Sequence, residues 1–154
     1  MSQNLVEMTL TDAQIAAVVA GLQQIEEALP ALLSMESGDR RGLMLMGPRS
    51  EPFARQVLRV LEQNPTIVPP SLDLAAAQAD LLAFDQLKPL LERLQRLVSR
   101  VDDTVAALGS DVMDVALEGY GQIKLSGAAQ GLDELRREIG GRFARTRRRA
   151  VEPS

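Results

Sequence analysis

The apolar residues between positions 77 and 108 recur at steps of three and four, and this repeat constrains the fold more than any other feature. An α-helix turns once in about 3.6 residues, so the repeat places its members on one stripe of a single helix. This stripe, called the seam below, consists of Ala77, Leu81, Phe84, Leu87, Leu91, Leu94, Val98, Val101, Val105 and Leu108. Because other helices must cover such a stripe, the sequence predicts an all-α protein built as a mostly antiparallel helical bundle.

The composition agrees with a helical fold and narrows the possible chemistry. Only four of the 154 residues are aromatic, so the core must be aliphatic, which suits helices better than a sheet sandwich. The chain has no cysteine and no histidine. This removes disulfides, thiol catalysis, the commonest general base and the commonest transition-metal ligand. We therefore predict a protein that is not an enzyme and uses no cofactor.

Local signals predict four main helices and a short fifth. The first begins after Thr11, where Gln14 completes a capping box, and Pro30 should either kink it or end its regular part near Leu29. The second runs from about Ser50 to Gln63. The third is long: Ser71 or Asp73 caps it, Pro89 kinks it, and it carries the seam.

The predicted fourth and fifth helices complete the bundle. The segment Gly109-Ser110-Asp111 is typical of a helix end followed at once by a new start, so a chain reversal is expected there. The fourth helix would then run from Asp111 to about Leu125, and the fifth from Leu132 to Phe143. The expected organisation is an N-terminal arm (1–10), one bundle domain (11–143) and an Arg-rich, disordered tail (144–154).

No run of the sequence approaches the ~18 apolar residues that a membrane span requires. The segment from Met1 to Thr9 contains Glu7 and no basic residue, so it does not look like a secretory signal. We expect a cytoplasmic protein.

Several segments resemble a family of small, uncharacterised all-helical bacterial proteins. The segment QNPTIVPPSLD at 63–73 looks like its inter-helix link, and VDDT at 101–104 with Gly109-Ser110 looks like a second shared segment. Further similar residues are Ala116, Leu117, Tyr120, Lys124, Leu135, Arg142 and Phe143. The likeness covers the chain from Met46 onward and implies an all-helical fold, but no activity.

The chain departs from that family at two places. Residues 46–50 read MGPRS where the family reads Met-Gly-Asp-Lys-Ser, and Met113 stands where an aromatic residue is usual. These departures count against a site built on the family's Asp and Lys.

Three groups of residues are candidates for a functional site. The first consists of carboxylates that would converge at the tip of a hairpin around Gly109: Asp102, Asp103, Asp111 and Asp114. Clustered carboxylates bind hard divalent cations, although helix capping and ion pairs with Arg96 or Arg100 explain the same residues.

The second group is the basic C-terminal end. Residues 131–154 carry seven Arg and four acidic residues, a net charge of +3, whereas residues 1–130 carry 10 basic and 17 acidic residues, a net charge of −7. The candidates for binding a polyanion, such as nucleic acid or an anionic surface, are Arg142, Arg145, Arg147, Arg148 and Arg149. A solvated tail, or one that folds back onto the acidic body, is the alternative.

The third group is an apolar tetrapeptide: Leu43, Met44, Leu45 and Met46. It would either plug one end of the bundle or form an interface, since Met-rich apolar surfaces adapt to partners. The leading functional prediction is self-association, as a homo-oligomer, or binding of another protein. The alternatives are polyanion binding by the arginines and, last, cation binding by the aspartates.

Overall fold

The computed structural model describes residues 5–126 and 131–151, with side chains up to residue 144. Its helices are α1 (Asp12–Ala28), α2 (Ser37–Arg41), α3 (Ser50–Gln63), a 3-10 turn (Pro65–Ile67), α4 (Leu74–Ser126) and α5 (Asp133–Val151). The described residues contain no strand, which confirms the all-α class. The chain forms two compact units, Thr9–Arg96 and Met1–Met8 with Leu97–Ser154.

The start of α1 follows from its capping residues, as predicted, and its end is one of the two alternatives that Pro30 allowed. The backbone N–H of Gln14 donates to Thr11 Oγ1 at 3.1 Å, and the N–H of Thr11 donates to Gln14 Oε1 at 2.8 Å, which completes the capping box. At the other end, the N–H of Leu29 still reaches the carbonyl of Ile25, and Pro30 follows. The helix stops there because proline has no N–H to continue the ladder.

The bounds of α3 and the start of α4 also match the sequence prediction. α3 runs over Ser50–Gln63. For α4, Asp73 is the capping residue, because its Oδ1 accepts a hydrogen bond from the N–H of Ala76 at 2.9 Å. Pro89 lies inside α4 without ending it, although the carbonyl of Asp85 loses its usual donor there.

The predicted chain reversal at Gly109 is wrong, and with it the division into a third and a fourth helix. Gly109 lies inside α4, which has 53 residues, and Gly131 is the only described glycine with a positive φ, the conformation of a helix-ending glycine. The three-four spacing continues past Gly109, since Val112 lies four residues after Leu108 and Val115 lies three residues after Val112. A glycine inside a helix costs only about 1 kcal/mol relative to Ala, too little to end one.

The C-terminal helix is longer than predicted. α5 extends to Val151 instead of ending at Phe143, so residues 144–151 of the expected disordered tail are helical, and residues 152–154 lie outside the described part. The segment 144–151 contains no Gly or Pro, and Arg and Ala are good helix formers. An ion pair between Glu138 and Arg142, one turn apart, adds support.

No residue whose side chain the structure describes is buried. In the unit Thr9–Arg96, half-buried Leu58 of α3 and half-buried Leu81 of α4 line the same groove between the two helices. In the other unit, a Cβ at Gly140 would lie 2.6 Å from Tyr120 Oη, so α5 approaches α4 closely there. What core exists is therefore a set of two-helix contacts.

Candidate interaction surfaces

The seam is covered only at its two ends. Ala77, Leu81 and Phe84 are half-buried at its start, and Leu108 is half-buried at its end. The six seam residues between Leu87 and Val105 are exposed, from 38% for Leu87 to 66% for Val98. Most of the stripe that was expected to form the core therefore has no covering helix among the described residues.

Exposure in this part of α4 extends around the whole helix. Every residue from Asp85 to Asp103 is exposed. Leu90 and Leu97, beside the seam, are 47% and 52% exposed and widen the apolar stripe. A soluble chain rarely leaves so many large apolar residues together in water unless another surface covers them.

The spacing of the seam becomes strictly heptad from Phe84 onward. Steps of three and four alternate from Phe84 to Leu108 and continue through Val112 to Val115. In coiled-coil notation, the first set of positions is Phe84, Leu91, Val98, Val105 and Val112. The second set is Leu87, Leu94, Val101, Leu108 and Val115. Helices with apolar residues at both sets pack side by side, with the side chains of one inserted between those of the other.

A second apolar surface lies on α3. Phe53, Val57 and Val60 of this helix are exposed, Phe53 by 70%. These residues, with Gln56 and Leu61, line an open depression of about 390 Å³. It is a shallow surface on one helix, not an enclosed site.

The apolar tetrapeptide at 43–46 follows α2 and belongs to no helix. Leu43 and Leu45 are exposed, Met44 is fully exposed, and Met46 is half-buried. The structure therefore does not place this tetrapeptide in a core, and its role at an interface stays a prediction.

A cluster of charged side chains joins α3 to α4. The Arg55 guanidinium donates to Glu51 Oε1, from Nη2 at 2.9 Å, and to both carboxylate oxygens of Asp85, from Nη1 to Oδ2 at 2.9 Å. Lys88 Nζ donates to Glu51 Oε2 at 3.2 Å and lies 5.4 Å from the ring centre of Phe84. This cluster was not predicted from the sequence, although Glu51 and Arg55 stand four residues apart, the spacing of an ion pair on a helix.

The cluster holds both of its carboxylates in the charged form. Hydrogen bonds from Arg55 and then from Lys88 lower the pKa of Glu51, and the hydrogen bond from Arg55 lowers the pKa of Asp85. Hydrogen bonds to Asp85 and then to Glu51 raise the pKa of Arg55. Next to the cluster is an open groove of about 300 Å³, lined by Leu58, Glu62, Gln78 and Leu81 among others. Since the four charges pair with one another, the cluster has a structural role in joining the two helices.

We expect Arg55→Met to weaken the contact between α3 and α4 more at neutral pH than in acid. A carboxylate with a lowered pKa stabilises the fold fully above its unfolded pKa, near 4, and loses that effect as the pH falls through its folded pKa. Thermal unfolding followed by circular dichroism should therefore show a lower melting temperature than the unmodified chain at pH 7 and a smaller difference at pH 3. Arg59→Met is the matched control, because the structure describes no ion pair for Arg59. An equal difference at both pH values would contradict the role of the cluster.

The four aspartates proposed for a cation site lie on one helix, so they do not converge at a hairpin tip. Asp103 and Asp111 stand eight residues apart, about 12 Å along the axis. The Asp111 carboxylate instead accepts hydrogen bonds from the backbone N–H of Leu5 and of Val6, at 2.9–3.1 Å. Among the described residues, no group of three or more potential ligands is placed to hold a metal ion.

The arginines proposed for a polyanion site are only partly within the described side chains. Arg142 pairs with Glu138 on the exposed surface of α5. The side chains of Arg145, Arg147, Arg148 and Arg149 lie outside the described part. Binding of a polyanion at this end of the chain stays a prediction.

Comparison with known proteins gave no relative for this chain: no family model, curated protein or solved structure matches it. In the part of the chain that the structure describes, none of the helices is both long enough and apolar enough to span a bilayer.

Proposed function

We propose that this protein is a non-enzymatic, self-associating protein, and that copies of it associate through the seam of α4. The observation that carries the proposal is the exposure of every seam residue from Leu87 to Val105. When a matching stripe covers an apolar stripe that was exposed to water, the free energy of the system falls.

The size of the exposed surface supports association. The six exposed seam residues, with Leu90 and Leu97, offer on the order of 700 Å² per copy, and two copies therefore about 1,400 Å². Stable and specific interfaces bury about 1,200–2,000 Å² in total. The seam alone is thus large enough for a dimer.

A second copy of the chain fits this stripe better than an arbitrary partner does. The heptad spacing requires an occupant with apolar residues at the same period, because the side chains must interleave along several turns. α4 of another copy has that period because its sequence is identical. Another protein that carries such a helix would be a competing occupant.

The mass of the protein in solution tests the proposal. Sedimentation equilibrium of a self-associating chain gives an average mass above the 16.7 kDa of one copy, and this mass falls on dilution. A mass that stays at one copy over the whole range of concentrations would reject self-association.

A further inference from the structure

We propose that α5 is a basic amphipathic helix that binds the surface of a bilayer containing anionic lipid. Its exposed apolar residues enter the boundary between headgroups and acyl chains, while its arginines contact the lipid phosphates. This inference does not rest on the proposed self-association, because α5 shares no residue with the seam. Two observations carry it: the side of α5 that stays exposed, and the charge of its C-terminal part.

A stripe of apolar residues follows α5 and is exposed throughout. It consists of Leu132, directly before the helix, and Leu135, Ile139 and Phe143 within it. Steps of three and four residues place all four side chains on the same side of the helix. Their exposed fractions are 37%, 49%, 39% and 49% in that order. Contiguous apolar residues exposed in this way mark a surface for contact with a partner or a membrane.

The half-buried side of α5 is a different one. Asp133, Arg136 and Gly140 are half-buried, and their spacing of three and four residues places them together on the helix. At Gly140 an added Cβ would lie 2.6 Å from Tyr120 Oη, so α4 approaches α5 on this side. With about 3.6 residues per turn, this side lies about 90° around the helix from the apolar stripe. The approach of α4 therefore leaves the stripe exposed.

The charge of α5 changes along its length. Its three acidic residues, Asp133, Glu134 and Glu138, all lie within the first six positions. Residues 139–151 carry five arginines and no acidic residue, a net charge of +5. Arg142 pairs with Glu138, and residues 145–149 contribute the other four positive charges. Four to eight basic residues clustered on an amphipathic helix are typical of segments that bind anionic lipid.

A bilayer surface fits both features of α5, whereas a nucleic acid fits only one. Phosphodiesters would pair with the arginines but would leave the apolar stripe in water. Phe143 is the one aromatic residue of α5 on which a base could stack. At a bilayer surface, phosphates lie directly beside acyl chains, so a helix with basic and apolar residues places both in suitable surroundings.

A second copy of α5 is a poorer occupant of the stripe, because the area is small. The four exposed residues offer on the order of 350 Å² per copy, and two copies therefore about 700 Å². Stable and specific protein interfaces bury about 1,200–2,000 Å² in total. Binding to a bilayer does not need such an area, since attraction between the basic residues and anionic headgroups adds to apolar burial.

The acidic remainder of the chain opposes this binding only weakly. Residues 1–130 carry a net charge of −7, which an anionic surface repels. In about 0.1 M salt, charges separated by more than about 10 Å are largely screened from one another. The local charge of the segment 139–151 therefore decides the contact, and binding should weaken as the salt concentration rises.

Flotation of the full chain with lipid vesicles tests the proposal. One set of vesicles contains two parts phosphatidylcholine to one part phosphatidylglycerol, and the other contains phosphatidylcholine alone. We expect a partition coefficient at least about tenfold higher for the anionic vesicles. No binding to the anionic vesicles, or equal binding to both sets, would overturn the proposal.

A triple variant tests the role of the basic segment. Arg147→Gln, Arg148→Gln and Arg149→Gln together should lower the partition coefficient on anionic vesicles at least about tenfold. The matched control removes the same charge from the exposed part of α4 and should change it less than about twofold. It is made with the substitutions Arg93→Gln, Arg96→Gln and Arg100→Gln. An equal loss in both variants would overturn the assignment of the binding to α5.

A double variant tests the role of the apolar stripe. Ile139→Ser with Phe143→Ser should also lower the partition coefficient at least about tenfold, because less apolar surface leaves the water on binding. Leu33→Ser with Leu125→Ser is the matched control, since both leucines are 80% exposed and lie outside α5. Circular dichroism verifies that each variant keeps its helix content. Full binding by the Ile139, Phe143 variant would overturn the amphipathic arrangement.

Two further outcomes would assign α5 to another occupant. Binding to a short DNA duplex that requires Arg147, Arg148 and Arg149, without binding to vesicles, would assign the basic segment to nucleic acid. A lower average mass of the Ile139→Ser, Phe143→Ser chain in sedimentation, again without binding to vesicles, would assign the stripe to contact between copies. The mass of the unmodified chain tests self-association separately, so either proposal can fail alone.

Discussion

Leu94→Asp combined with Val98→Asp should convert the associated protein into a monomer, with a dissociation constant raised at least about a thousandfold, or about 4 kcal/mol. Both side chains lie in the exposed middle of the seam, 38% and 66% accessible in one copy. In an associated pair they would lie against apolar seam residues of the second copy. A carboxylate enclosed there without a partner loses its hydration, at a cost of several kcal/mol.

The same substitutions should leave the individual chain folded, because both side chains are exposed in one copy. A dilution series followed by sedimentation gives the dissociation constant, and circular dichroism reports the helix content. Ser99→Asp with Ser110→Asp is the control, since it adds the same charge to the same helix outside the seam. If the control pair dissociates the protein as strongly as the seam pair, general repulsion explains the result and the seam is not the interface.

Substitutions at Gly109 should have opposite effects on stability. Gly109 lies in the interior of α4, and a Cβ built there meets nothing within 4 Å. Gly109→Ala should therefore stabilise the protein by about 0.5–1 kcal/mol, because Ala loses less conformational freedom in a helix. Gly109→Pro should destabilise it by about 3 kcal/mol or more, because it removes a helical hydrogen bond and clashes with the preceding turn.

The two Gly109 variants also decide between a continuous helix and a chain reversal. If Gly109 ended a helix in the left-handed conformation, Ala would be strained there and would destabilise the protein. Urea unfolding of the two variants beside the unmodified chain gives both free energies. A destabilised Ala variant would contradict the continuous α4.

The sequence was sufficient where structure depends on local chemistry. The Thr11–Gln14 capping box, the stop before Pro30 and the bounds of α3 all follow from residues a few positions apart. Such signals act through hydrogen bonds between residues close in sequence and through fixed φ angles, so their effect does not depend on how the rest of the chain packs.

The sequence misled where two local signals conflict. Gly109-Ser110-Asp111 is typical of a helix end, whereas the apolar period runs through it to Val115. The helix continues through this segment as the apolar period predicts, since the free-energy cost of one glycine is smaller than the stabilisation from continuing the helix. The helix content of the C-terminal tail was underestimated for a related reason, because a run of arginines is charged but still favours a helix.

The candidate surface was only half predictable. The spacing of the apolar residues predicts the seam between Leu87 and Val105. It indicates that another helix must cover this stripe, but not whether that helix belongs to the same chain or to another. The cluster around Arg55 was also predictable only in part. The four-residue spacing predicts the contact of Arg55 with Glu51, whereas its contact with Asp85, 30 residues away, depends on how α3 and α4 pack.

Sedimentation equilibrium of the unmodified chain beside the Leu94→Asp, Val98→Asp chain decides whether a second copy covers the seam of α4. We expect an average mass approaching twice 16.7 kDa for the unmodified chain at high concentration and 16.7 kDa for the variant. Equal masses for the two chains at every concentration would contradict it.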